Sequence, residues 1–188
     1  MLRVIVMIDG GHLRALCQKA SFNYTPEYVE KVAHACVLPA EETLLRVLYY
    51  DCAPYSGTVK LPVSGGDRVF LPNDSFLRTI AAKDLFAVRR GVLKFRGFKP
   101  RRTPVAPATL TDSDFKPDFE QKGVDMRIGL DMARLALRET VRTVVVVTGD
   151  SDFVAAFKFA RREGVKVILE PLGHNVRTEL RAHADVVL

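Results

Sequence analysis

The hexapeptide Thr148-Gly149-Asp150-Ser151-Asp152-Phe153 sets two carboxylates one residue apart, directly after a run of four valines. Capping a helix takes one acidic residue, so the second needs another reason. Two more aspartates stand at comparable places: Asp9 follows the apolar run Leu2–Ile8, and Asp125 lies at the start of a stretch with helical periodicity. Two carboxylates about 4 Å apart repel by roughly 4 kcal/mol at an effective dielectric of about 20. Four gathered in one place require protons or a cation among them. Magnesium takes oxygen ligands, commonly one or two carboxylates completed by water and substrate phosphate. Such an ion can deprotonate and orient water and stabilise charge developing at phosphorus. Asp9, Asp125, Asp150 and Asp152 are therefore candidates both to bind Mg2+ or Mn2+ and to catalyse phosphodiester hydrolysis. Taken singly, each has a plainer reading: Asp150 or Asp152 as a helix cap, Asp125 as a first-turn residue, Asp9 as turn chemistry beside Gly10 and Gly11.

For these residues to meet, the elements before them must converge. Leu2–Ile8 and Thr143–Thr148 lack polar alternation, as in strands buried on both faces. Leu44–Tyr50 reads as a further strand, ending at Asp51, a lesser candidate for the same cluster. Helices are expected from about Leu13, after Thr25-Pro26, after Asp74, over Val124–Arg138 and over Asp152–Arg162, with a short one at Val176–Ala182. Lys166–Leu169 and the tail Asp185–Leu188 read as strands. Residues 52–73 and 99–121, rich in turn formers, read as loops, and Phe86–Phe98 as an extended segment that Gly91 divides into a hairpin. Alternating strands and helices predict an α/β fold, an α/β/α sandwich around a mainly parallel sheet, in one domain over residues 1–188. Ligands of such sheets bind beyond the carboxyl ends of the strands, where Asp9, Asp150 and Asp152 fall. Asp131 shares a helix face with Val124, Ile128 and Leu135, so it either supports the site or satisfies nearby N–H groups. Thr148 and Ser151 are candidates to support the carboxylates.

The chain carries a formal charge of +6. Seven cations and no acid lie between Arg89 and Arg102 (Arg89, Arg90, Lys94, Arg96, Lys99, Arg101, Arg102). Strand alternation would put Lys94, Arg96 and Phe98 on one face, with Leu93 and Phe95 on the other. A cationic face with an aromatic suits the phosphates and an unpaired base of single-stranded RNA; a charged, aggregation-resistant edge strand is the alternative. Cys17, Cys36 and Cys52 form no Cys-x-x-Cys pair and read as reduced thiols of a cytoplasmic protein. No apolar run approaches the ~20 residues of a membrane span. Gly11 where a phospho-aspartate enzyme needs a second Asp, and the lack of Gly-x-Gly-x-x-Gly after the first strand, argue against phosphotransfer and dinucleotide chemistry.

"VIVMIDGGHL", "QKGVDMRIGLDMA", "VVVVTGDSDFVAAFKFARREGVKVIL" and "ELRAHADVVL" resemble the NYN-domain family in its LabA-like branch, among the PIN-like nucleases. The resemblance implies a Rossmann-like fold and a metal-dependent ribonuclease site at Asp9, Asp125, Asp150 and Asp152, with Asp131 at a further acidic position. One position departs: many members carry Asn three residues after the first Asp, where this chain has His12. His12 then contacts phosphate, biases the metal, or is an exposed turn residue. The expectation is a metal-dependent endoribonuclease, or a non-catalytic RNA-binding module on the same fold. The apolar parts of residues 86–98 could also serve a homodimer.

Overall fold

The computed structural model describes residues 1–105, 109–139 and 141–188. The chain forms β1 (Leu2–Asp9), α1 (Gly10–Lys19), α2 (Pro26–Ala35), β2 (Glu42–Ala53), β3 (Gly57–Lys60), β4 (Asp67–Phe70), α3 (Ser75–Ala81) and β5 (Phe86–Pro100). There follow β6 (Phe115–Lys122), α4 (Val124–Leu137), β7 (Thr143–Val147), α5 (Val154–Arg162), β8 (Lys166–Glu170), α6 (Thr178–Ala182) and β9 (Val186–Val187). Seven strands make one sheet in the order β6-β5-β2-β1-β7-β8-β9. Every neighbouring pair is parallel except β5 with β6. The expected α/β sandwich with a mainly parallel sheet is thus the observed one.

The apolar runs explain the layering. Val4, Val6 and Ile8 of β1 point to one face and meet Leu13 of α1, Val29 and Val32 of α2, and Leu77 and Ile80 of α3. Ile5 and Met7 point to the other, against Val124, Ile128 and Met132 of α4, Phe157 and Ala160 of α5, and Leu180 of α6. With helices on both sides, β1 and β7 must be apolar throughout, which is why neither shows alternation. Thr25 caps α2 with its side chain, and Pro26 occupies the first turn, as expected. Among the described residues no helix is long and apolar enough to cross a membrane.

Three expectations need correction. Residues 52–73 are not all loop: β3 and β4 pair as an antiparallel hairpin. Residues 99–121 are not all loop either, since β6 pairs with β5; residues 106–108 of that stretch lie outside the described residues. Gly91 does not break β5 but lies in the middle of it, paired with Cys52. The hairpin and β6 are held by contacts that no local pattern announces. Rings of Tyr55, Phe70, Phe95 and Phe119, drawn from four separate segments, pack edge-to-face or tilted with centroids 5.4–6.2 Å apart.

A fourth correction concerns β5 itself. Its register against β6 slips between Phe95 and Gly97, leaving Arg96 as an extra residue, with Gly97 at φ +106°. Such a bulge interrupts strict alternation. Phe98 therefore joins the side of Phe95, with ring centroids 5.3 Å apart, and does not share a face with Lys94 and Arg96.

Gly91 has a different task from the one its type suggested. A Cβ there would sit 2.7 Å from the Lys122 carbonyl oxygen, 2.8 Å from Val124 Cγ2 and 3.1 Å from Cys52 Sγ. The glycine lets the start of α4 press onto the sheet, and with it the residue beside Val124, Asp125. Gly91→Ala is expected to cost about 1–3 kcal/mol by overpacking, read as a lower denaturation midpoint at unchanged m-value.

Candidate metal centre

The strand order reverses direction between β1 and β7: the chain builds outward from β1 through β2 and β5, and from β7 through β8 and β9. That switch point is where an open α/β sheet leaves a crevice. Asp9 is the last residue of β1, and Asp150 follows β7 by three residues. A cavity of about 350 Å³ opens there, lined by Asp9, Gly11, His12, Gln121, Asp125, Gly149 and Asp150. Three of the four singled-out aspartates thus reach one pocket from β1, α4 and the segment after β7.

Each is held differently. Asp9 is buried, caps α1 by accepting from the His12 backbone N–H at 3.1 Å, and accepts from the Thr148 hydroxyl at 3.4 Å. Thr148 is fully buried and also accepts from the Asp150 N–H at 3.2 Å, so one hydroxyl ties the ends of β1 and β7 together. The Asp150 carboxylate accepts from the Asp152 N–H at 2.9 Å, capping a single 3-10 turn, Ser151–Phe153. Asp125 stands in the first turn of α4, where free helical N–H groups favour negative charge. Asp152 is exposed at the rim and does not line the pocket.

The electrostatics follow from that packing. Burial pushes the Asp9 carboxyl above its ordinary value, and the charge of Asp150 adds to the rise, while the N–H groups of His12 and Gly11 oppose it. Burial also raises Asp125, with Asp150, Asp9 and Asp152 contributing in that order. Asp152 is therefore within electrostatic reach although it lines no wall. Burial lowers the His12 imidazole, as does His174, against the pull of Asp150. The His12 ring lies against Gly149, where a Cβ would come within 2.6 Å of it, and its buried Nε2 has no hydrogen-bond partner among the described residues. It is not an exposed turn residue.

Among the described residues, no three His, Cys, Asp or Glu side chains stand together as a ready metal-binding group. The donor set suits a hard cation that takes one or two carboxylates and completes its shell with water and phosphate. It does not suit an all-protein cage.

Other expected residues go elsewhere. Asp131 accepts from the Tyr50 hydroxyl at 3.0 Å and from Arg89 at 3.1 Å, and lines a different groove. Asp51 is buried, bonded to the Arg14 guanidinium, to the Tyr49 hydroxyl at 2.9 Å and to the Cys52 N–H at 2.8 Å. It anchors α1 to β2. Ser151 accepts from Arg177 at 3.4 Å on the surface. Of the basic segment, Arg89 pairs with Asp131, Arg90 with Asp74, Arg96 with Glu120 and Lys99 with Asp118, while Arg101 donates to the Ser113 carbonyl. Lys94, Arg101 and Arg102 have no ion-pair partner among the described residues. Gln121, which sequence reasoning passed over, lines the pocket. Only the pairing of β6 with β5 brings it there, opposite Leu93.

A curated relative, an uncharacterized protein of Methanocaldococcus jannaschii, is 31% identical over 79 residues, 42% of this chain and 33% of that protein. The chain thus spans about a third of the length of that relative. A solved structure, of a protein of unknown function from Vibrio parahaemolyticus, superposes with a TM-score of 0.56 at 19% identity, covering 100% of this chain and 91% of that one. That likeness concerns the fold. The NYN domain model matches residues 80–188, more than half of the chain, a stretch that holds Asp125, Asp150 and Asp152 but begins after Asp9 and His12. The chain belongs to the NYN-domain family, of PIN-like nuclease fold.

Proposed function

We propose that this protein is a metal-dependent endoribonuclease, acting as one domain over residues 1–188 in the cytoplasm and hydrolysing phosphodiesters of single-stranded RNA. The observation that carries this is the meeting of Asp9, Asp125 and Asp150 in one pocket at the sheet's switch point. Asp9 and Asp150 would hold a Mg2+ or Mn2+ ion, with Asp125 and Asp152 adding negative charge and orienting water. Such an ion supplies a Lewis acid and lowers the pKa of bound water. The buried Thr148 fixes the spacing of Asp9 and Asp150, and His12 and Gln121 face the position a phosphate would take. Lys94 and Arg102, and the remaining cations of residues 89–102 to the extent that their ion pairs open, would steer the strand.

A second reading, a non-catalytic RNA-binding module, draws on the absence, among the described residues, of three ligating side chains already grouped. It predicts RNA binding without cleavage in magnesium or manganese.

Asp150→Asn is expected to abolish manganese-dependent RNA cleavage while leaving the circular dichroism spectrum intact; undiminished cleavage would refute the assignment. The raised Asp9 and Asp125 carboxyls yield a second expectation. A carboxyl raised on folding favours the folded state only while protonated, so stability falls as pH climbs from the ordinary carboxylate range through the raised value. In chelator, Asp9→Asn, which can still cap α1, should therefore gain in Tm over the parent as pH rises across that window. Manganese at a hundredfold excess over its Kd should stabilise the parent by about 2.7 kcal/mol, roughly 5–10 °C, and Asp9→Asn by much less.

A further inference from the structure

The face of the sheet covered by α4 and α5 is not covered evenly. Beyond Asp131, α4 leaves a groove of about 440 Å³ against β2 and β5. Its polar lining is Arg46, Arg89, Asp131, Arg134 and Arg138, and its apolar lining is Ile5, Leu45, Leu48 and Leu135. Four guanidiniums therefore face one carboxylate, and Arg89 and the Tyr50 hydroxyl already satisfy that carboxylate. Among the described residues, Arg46, Arg134 and Arg138 have no carboxylate within ion-pair distance. This contrasts with residues 89–102, where most of the cations are tied up by neighbouring acids.

A second bulge lies beside Arg46. The register of β1 against β2 passes from Val4↔Leu44 to Ile5↔Arg46, so Leu45 is the extra residue of β2. The bulge turns Leu45 to the α4 side with Leu48, where it adds to the apolar floor, while Arg46 keeps its pairing with Ile5 and lines the same groove.

We infer that this groove is the distal binding track for the RNA strand whose scissile phosphate enters the aspartate pocket, an inference that rests on the ribonuclease reading. Guanidiniums grip phosphate in bidentate fashion and also stack on bases. The aliphatic floor gives an unpaired base an apolar surface to leave water for. Both sites border α4, which carries Asp125 in its first turn and Arg138 as its C-cap; Arg134 lies about two and a half turns beyond Asp125 and so on the opposite side of the helix, and a strand joining the two sites crosses over α4. Thirteen residues at about 1.5 Å each separate the two by roughly 20 Å, about six nucleotides at a stacked spacing of 3.4 Å. A nucleic-acid strand presents a phosphate at every residue to these spaced guanidiniums, and competition with polyglutamate scores an acidic peptide as the alternative occupant.

The test is fluorescence anisotropy in EDTA with a labelled single-stranded oligouridylate of about a dozen nucleotides, read as a function of salt. Arg134→Ala combined with Arg138→Ala should weaken binding about tenfold or more and flatten the log Kd against log salt slope by about 1.4, two phosphate contacts on a single strand. A charge-matched control, Lys158→Ala with Arg162→Ala on α5, should leave the slope unchanged. An unchanged slope in the groove variant, an equal loss in the control, or displacement of RNA by polyglutamate as readily as by unlabelled RNA would each overturn the groove assignment. Manganese-dependent cleavage by the parent chain is scored separately. Cleavage by the parent with unaltered binding by the groove variant sinks the track and keeps the nuclease, whereas groove-dependent binding without cleavage sinks the nuclease, and the track with it, and leaves the groove as an RNA-binding surface alone.

Discussion

The structure turns on keeping a buried carboxylate at the end of its central strand. Among the described residues Asp9 has no cation beside it; it is held by the N–H groups at the start of α1 and by the hydroxyl of Thr148. Those bonds favour its charge, but burial and Asp150 work against it and win. A core built for stability alone would put an apolar or neutral residue there. The neighbouring elements accept this cost. β1 and β7 are apolar on both faces and rigidly paired, Thr148 bridges their ends, and Gly91 lets α4 approach closely enough to bring in a further acid. A positive charge in the pocket would relieve this cost.

Charge elsewhere on the molecule is distributed by the same logic of partners. The basic run of β5 is flanked by the acids of β6, Asp118 and Glu120, which pair with Lys99 and Arg96 across the antiparallel ladder. Counting cations along the chain overstates what that strand offers to a polyanion. The arginines of β2 and α4 are scattered in sequence, yet they converge on one groove with a single, already satisfied acid. Net charge is a property of composition, whereas free charge is a property of neighbours.

The aromatic rings of Tyr55, Phe70, Phe95 and Phe119 show the same dependence in apolar form. Residues 52–73 and 99–121, which read as loops, become a hairpin and a ladder against the long β5 because their rings cover one another. Outside both main core clusters, they form a small core of their own.

The sequence by itself determined the sandwich, its central strands and the four acids worth watching. Burial on both faces demands unbroken apolar runs, helices need caps and periodic stripes, and carboxylates after such strands must lie at the sheet's carboxyl edge. Tertiary structure alone decided which acids share a pocket. It kept Asp9, Asp125 and Asp150 together, left Asp152 on the rim, gave Asp51 to Arg14 and gave Asp131 to Tyr50 and Arg89. It likewise decided the two bulges, which moved Phe98 and Leu45 off the faces that strict alternation assigns, and the entry of Gln121. The physical reason is that caps and periodicity act over a few residues along the chain. Hydrogen-bond partners, ring contacts and strand register are settled between segments dozens of residues apart.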